Sequence, residues 1–481
     1  MTMRQTTRLA SALSRLFILG SLVLLGSPTT SAQLNTKIEE LTGIKAEEYR
    51  QRRALVLSKM EPNSIAIFKA ADPRNRSNDV NYEFKQDDNF FYLTGCDETR
   101  SYLVLSPDGV QVDSATAREV FFIRPTQRSA SGTSLGIEGA KSLLEFEFVL
   151  PSSDLFDFVK RNLAGKKILY YYPSIPDVVF DPLMGKRYIL SREVKSELQT
   201  QFPSLEIKSL AGVLAEMRSV KSPAEIALIQ KAIDATAIGD IEAMKSAQPR
   251  MYEYELQAVI EYCFAKNGAE YPGFPSIVGS GPNSCILHYD ANRRQMQSGD
   301  VVVMDIGAEY HGYTADATRT IPVDGKFSPA QREIYEIVLK AQEEAIKEFK
   351  AGASPSAPSQ KATDVIADGL IKLGIIKDKS EVRRYYVHGL SHHIGLDVHD
   401  AGRFGATYVP GMILTVEPGI YIPEGSPCDK KYWNIGVRIE DDVLITESGP
   451  RVLSARAPKT VKEIESLMKE RGIGNVTIGT K

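Results

Sequence analysis

Six histidines occur in the 481 residues, at 288, 311, 388, 392, 393 and 399, all in the second part of the chain. Five lie beside glycines or at the ends of strand-like stretches, in Leu287-His288-Tyr289 and in HGLSHHIGLDVHD over 388–400, where backbone can approach a ligand. One such histidine is more often a satisfied core or surface group, but a cluster points to a site. Four carboxylates share this part of the chain. Asp305 closes the apolar run Val301-Val302-Val303-Met304, Asp316 lies in TADATRT, Glu417 ends LTVE, and Glu440 ends GVRIE. Acids built into apolar strands are costly to bury without a compensating cation. Four carboxylates and one imidazole make an oxygen-rich set suited to two divalent ions such as manganese, cobalt or zinc, with manganese the expected cofactor. The pattern is neither HExxH nor a thiolate site.

These side chains need strands to hold them. The stretch 302–320, VVMDIGAEYHGYTADATRT, is rich in β-branched residues and predicts a hairpin. With the turn centred on Tyr310 and His311 and with Gly312 permissive, Asp305 would stand directly opposite Asp316. Pro418 holds Glu417 extended, and Arg438 lies two residues before Glu440 on the same strand face.

In chain order, His288, Asp305, Asp316, His392, His399, Glu417 and Glu440 sit within SGPNSCILHY, VMDIGAEYHGYTADATRT, HGLSHHIGLDVHD, LTVEPGIYI and GVRIEDD. In this the chain resembles the Xaa-Pro aminopeptidases (aminopeptidase P) of the pita-bread metallopeptidases. The likeness covers essentially the whole catalytic half, and the first half resembles the family's creatinase-type N-terminal domain more loosely. The resemblance implies an α/β fold: a creatinase-like α/β domain followed by a pita-bread domain with a curved antiparallel sheet. It implies that Asp305, Asp316 and Glu440 bind one metal, and that Asp316, His392, Glu417 and Glu440 bind the other. A water shared by the two ions would attack the carbonyl before proline, with Glu417 as general base. His288, His388 and His399 would bind substrate and stabilise the oxyanion, Arg438 would steady the carboxylates, and Phe274 would line the substrate pocket. His393 stands where the family often carries tryptophan, and Asn89 where a relative carries aspartate. The expected partners are peptides with an Xaa-Pro N-terminus, and a homo-oligomer is expected. A prolidase, restricted to Xaa-Pro dipeptides, shares the same ligands and is the alternative. A metal-free pita-bread binding module is disfavoured because all five ligands are present.

The bulk numbers agree with a soluble globular protein, at 43% apolar and 25% charged residues. A chain of this length exceeds one core, so at least two domains are expected. Arg4, Arg8 and Arg15, the short apolar run LFILGSLVLL over 16–25, and Thr30-Ser31-Ala32 resemble a secretory signal peptide cleaved near Ala32. The mature protein is then exported, to the periplasm or the exterior, without a stable membrane anchor. Losing the leader removes three arginines and no acids, so the net charge moves from −3 to −6. Nucleic acid is not the implied partner. Cys96, Cys263, Cys285 and Cys428 follow no zinc spacing, and their pairing is left open.

The expected domains are 1–32 as signal peptide, 33–213 as the N-terminal domain and 214–481 as the catalytic domain. In the first, periodicity predicts helices over 46–60 and 154–163, and strands over 64–69, 89–94, 102–105, 119–124 and 167–172. In the second it predicts helices over 223–247, capped by Ser222, and over 253–267, 328–349, 363–373 and 461–470. Strands are expected near Ile277 and Ile286 and over 413–422 and 437–446, and a loop over 351–359.

Overall fold

The continuous apolar run in SIAIFK, buried on both faces, places Ser64–Lys69 at the centre of a six-stranded sheet. Its neighbours on one side, Ile168–Tyr172 and then Glu206–Lys208, run parallel to it; on the other Tyr102–Val112 runs antiparallel, Ala115–Ile123 turns back against that strand, and Val149–Pro151 pairs parallel with Ala115–Ile123 at the far edge. Ile65, Ile67, Val104, Val120 and Phe122 point to one face, where Phe158 covers them. Ala66, Phe68, Leu103, Leu105, Phe121 and Ile123 point to the other. That second core continues without a break into Tyr313, Ala315, Ile394, Ile413 and Leu444 from the second half of the chain. The computed structural model describes residues 37–126, 128–129, 132–172, 178–181, 186–403 and 405–475. The expected leader and its cleavage site lie outside them.

The second half consists of short antiparallel ladders flanked by helices. Pro223–Ser246 and Pro329–Ile346 each begin with a serine capping box and a proline in the first turn. Glu253–Lys266 and Ser356–Lys372 complete the long helices. Val301–Ile306 pairs with both Ile277–Ser280 and Ala317–Pro322, while Ala308–Tyr310 pairs with Tyr271–Pro272 and Tyr313–Thr314. Ile413–Val416 pairs with Asp441–Thr446, and Gly419–Ile422 with Ile435–Arg438. Among the described residues no helix is long and apolar enough to cross a membrane.

The hairpin differs from expectation by one turn position. His311 and Gly312, at φ 50° and 80°, form the two-residue loop, and Tyr310 pairs with Tyr313. A primed hairpin turn needs positive φ at both central residues, which Gly312 adopts freely and the bulky Tyr310 would not. Asp305 therefore faces Thr318, and the two aspartates are diagonal rather than opposite. The other hairpin carries the directly facing pair. Val416 pairs with Asp441 and Gly419 with Arg438 in one continuous register, which leaves Glu417 level with Glu440.

Four further expectations change. The stretch 89–94 is the helix Asp88–Thr94, because the Asp87 carboxylate caps it by accepting from the Phe90 amide at 2.8 Å and Gly95 ends it at φ 65°. Its aromatic run read as strand by composition alone. Ile286 belongs to no strand; it follows the 3-10 turn Gly281–Cys285 and is 51% exposed. The expected loop over 351–359 gives way at Ser356 to helix, since Pro358 falls in the first turn, where no amide is needed. Finally, the strands expected over 413–422 and 437–446 are each broken, at Glu417-Pro418 and at Ile439-Glu440.

Two bridges tie the halves together. Lys85 donates to the Glu309 carboxylate at 2.8 Å and to the carbonyls of Gly312 and Leu396 at 3.3 and 3.0 Å. Buried Arg218 donates to Asn89 at 2.9 Å, to Asp88 at 3.1 Å and to Asp400, which also accepts from buried Lys221 at 3.2 Å.

Candidate metal centre

Three of the four acids stand where a ladder is interrupted, and Asp305 stands within one, between Ile277 and Thr318. Asp305 is next to the end of Val301–Ile306, Asp316 separates Tyr313–Thr314 from Ala317–Pro322, and Glu417 and Glu440 occupy the two breaks of the other hairpin. Ligand atoms of Asp316, His392 and Glu440 lie within 4.8 Å of one another. His392 Nε2 is 3.3 Å from Asp316 and 3.5 Å from Glu417.

Asp305 Oδ1, Asp316 Oδ1 and Glu440 Oε1 are buried with no hydrogen-bond partner. Burial first, and then the neighbouring Glu440 and Asp305 carboxylates, push the Asp316 carboxyl well above its ordinary range. Burial and then Glu417 do the same to Glu440. Burial raises Glu417 to about 8, although Arg438 pulls against it. Burial lowers His392 to about 4, so its ring is neutral at pH 7. His392 Nδ1 lies 3.1 Å from the His393 carbonyl, and donation there leaves the Nε2 lone pair facing the acids. Orphaned carboxylate oxygens converging on a neutral imidazole fit hard or borderline divalent cations.

Arg438 anchors the cluster from behind. It is 4% exposed and donates to Asp305 at 2.5 Å, to Thr318 Oγ1 at 3.1 Å, to the Tyr421 hydroxyl at 2.9 Å and to the Leu287 carbonyl at 3.4 Å. The Thr318 hydroxyl in turn donates a hydrogen bond to Glu440 Oε2 at 2.7 Å. His388 Nε2 meets the Tyr421 hydroxyl at 2.8 Å, and burial lowers this histidine to about 4 as well. The His399 ring lies 4.2 Å from the His392 ring, centroid to centroid. His288 is exposed and follows the carbonyl that Arg438 holds. Phe274 packs against Gly307, where an added Cβ would meet its ring and the Ala315 carbonyl. Two histidines stay outside the cluster. His311 pairs with Glu270 at 3.1 Å on the hairpin turn, and His393 packs against Gly402.

Several contributors were not singled out from sequence. Tyr421 had a signal, being four residues beyond Glu417 in EPGIYI. Asp442 accepts the Asp316 amide at 3.1 Å, and fully buried Arg319 pairs with Asp441 at 2.8 Å and supports the Thr318 carbonyl at 2.9 Å. Both arise from long-range contacts with no local signature. Cys96, Cys263, Cys285 and Cys428 are all free.

Two family models match the chain: Metallopeptidase family M24 over residues 227–447, and Aminopeptidase P, N-terminal domain, over 49–170. An Xaa-Pro aminopeptidase of Haemophilus influenzae is 38% identical over 436 residues, covering 88% of this chain and 97% of that one. The solved structure of proline aminopeptidase P II from Yersinia pestis superposes with a TM-score of 0.80 at 35% identity, covering 89% of this chain and all of that one. A variant of Escherichia coli aminopeptidase P, solved in complex with substrate, superposes with a TM-score of 0.78 at 36% identity, covering 89% and 98%.

Proposed function

The chain belongs to metallopeptidase family M24, and on that premise we propose that it is an Xaa-Pro aminopeptidase, releasing the first residue from peptides that carry proline second. The observation that carries this reading is the set of three buried, unpartnered carboxylate oxygens on Asp305, Asp316 and Glu440 beside His392. Asp305, Asp316 and Glu440 would hold one divalent ion, and Asp316, His392, Glu417 and Glu440 the second. Two ions bound there supply Lewis acidity to the attacking water and to the scissile carbonyl. Manganese suits the oxygen-rich donor set.

The chain's own residues do the rest. Glu417, the most exposed of the ligand acids at 18%, is placed to take the proton of the attacking water. Arg438 holds Asp305 and Tyr421, and Tyr421 in turn orients His388. Because His388 stays neutral at pH 7, it works as a hydrogen-bonding group at the developing oxyanion rather than as a fixed cation. His288 and His399 would bind the peptide alongside it. Phe274 offers an apolar wall to the proline ring, whose nitrogen has no proton to donate.

A dipeptidase would reward the free carboxylate that follows proline, usually with a cation. Arg438 is not free for this, since its guanidinium is buried and committed to four partners. The reading therefore expects Xaa-Pro-Yaa peptides to be cleaved at least as well as Xaa-Pro dipeptides. A carboxylate recognised by arginine in a dry site is worth about 1.5 to 3 kcal/mol, roughly tenfold to a hundredfold in specificity constant. Measured kcat/KM on a matched pair tests it, and a hundredfold advantage for the dipeptide would make the enzyme a prolidase. We further propose export with cleavage near Ala32, a division of the mature chain at 213/214, and a homo-oligomeric assembly.

A further inference from the structure

Glu253 opens the helix Glu253–Lys266, is fully buried, and has no ion pair among the described residues. Its two oxygens take five donors. Oε1 accepts from the Ser280 amide at 2.8 Å, the Ser280 hydroxyl at 2.7 Å and Asn283 Nδ2 at 3.2 Å. Oε2 accepts from the Tyr289 hydroxyl and the Arg294 amide, both at 2.8 Å. A carboxylate is the side chain that accepts at both ends in this way. The donors bracket residues 280–294, a segment with no strand beyond Ser280 and only the 3-10 turn Gly281–Cys285 to order it. Such a stretch has little backbone pairing of its own, so its shape depends on what its polar groups are tied to.

His288 stands in the middle of that segment, exposed, with a tether on each side. Its predecessor Leu287 gives its carbonyl to Arg438, which is bound to Asp305. Its successor Tyr289 gives its hydroxyl to Glu253. One tether refers His288 to the acid cluster, and the other refers it to the helix. We propose that Glu253 is a positioning residue that, through Tyr289, fixes His288 toward the peptide substrate. This rests on the reading of His288 as a substrate-binding group.

A double-mutant cycle tests it on the metal-loaded, full-length mature enzyme with an Xaa-Pro-Yaa substrate. Tyr289→Phe removes one hydroxyl and keeps the ring, so the protein folds. It is expected to lower kcat/KM about tenfold, the effect of losing one charge-assisted hydrogen bond, with metal content unchanged. The loss should fall on the same parameter, kcat or KM, that His288→Ala moves. In the His288→Ala background the same change should cost less than about twofold, because the histidine it positions is gone. Glu253→Gln, which turns an amide NH2 toward one of the two sets of donors, should show the same dependence with a larger loss. Effects that multiply independently, or a Tyr289→Phe enzyme with unchanged kcat/KM, would overturn the proposal while leaving His288 in its role. A His288→Ala enzyme with full activity would overturn the reading of His288 itself, and the clamp with it.

Discussion

Removing the metals should make the protein's stability fall as pH rises, by an amount the buried acids define. In the metal-free fold, burial holds the Glu417 carboxyl at about 8 against an ordinary 4.5, and Asp316 and Glu440 are displaced in the same direction. The sign follows from proton counting. Below the unfolded pKa both states are protonated and nothing is lost; above it the unfolded chain releases its proton while the native carboxyl keeps its own, so stability declines until pH passes the native pKa. Each such pH unit is worth about 1.4 kcal/mol per carboxyl. Glu417 alone therefore removes about 2 kcal/mol between about pH 6.5 and about pH 8, and the other two acids add to it. In the metal-loaded protein these groups are ionised in both states, so their contribution vanishes. Burial holds His388, His392 and His393 at about 4, so all three are neutral across this window in either form and cancel in the comparison. Urea unfolding of chelator-treated and reloaded protein at the two pH values measures the difference. A metal-free midpoint that shifts no more than the loaded one would refute the reasoning.

Three more outcomes are expected. Asp316→Ala or Glu440→Ala should abolish binding of both ions, since each is proposed to bridge; elemental analysis showing two ions retained, with full activity, would contradict that. Gly307→Ala should destabilise the fold by about 1 to 3 kcal/mol, by thermal melting, and raise KM, because the new methyl meets the Ala315 carbonyl and the Phe274 ring. N-terminal sequencing of exported protein should begin near Gln33, and recovery of an intact Met1 chain from the cytoplasm would rule out processing.

Three of the four acids were legible because an apolar run that ends on a carboxylate is a local contradiction, visible in VVVMD, LTVE and GVRIE without any partner. The helix cap at Ser222 was legible for the same reason, being a short-range pattern with its own energetics. Register was not. One position in the His311-Gly312 turn moves Asp305 from Asp316 to Thr318, and that choice rests on backbone dihedrals rather than on apolar periodicity. The strand breaks at Glu417 and Glu440 were likewise hidden, since apolar residues resume beyond each acid, over 420–422 and 443–445, and read as the same strand continued. Arg319, Asp442 and Glu253 escaped notice because each is defined by partners far away in the chain, and a buried charged residue looks the same in sequence as an exposed one.

The bridges of Lys85 and Arg218 bear on how such a protein can be recombined. A crossover in the segment between the halves, made with a relative about one-third identical, looks harmless by domain logic. It would separate Lys85 from Glu309, and Asp88 and Asn89 from Arg218, wherever the two parents differ at those positions. The second split strikes next to Asp400, the immediate neighbour of His399, and so reaches the catalytic half from outside it. The exchangeable units of this fold are its sets of touching residues, and a working chimera must inherit Lys85 with Glu309, and Asp88 and Asn89 with Arg218 and Asp400, whichever side of the crossover each lies on.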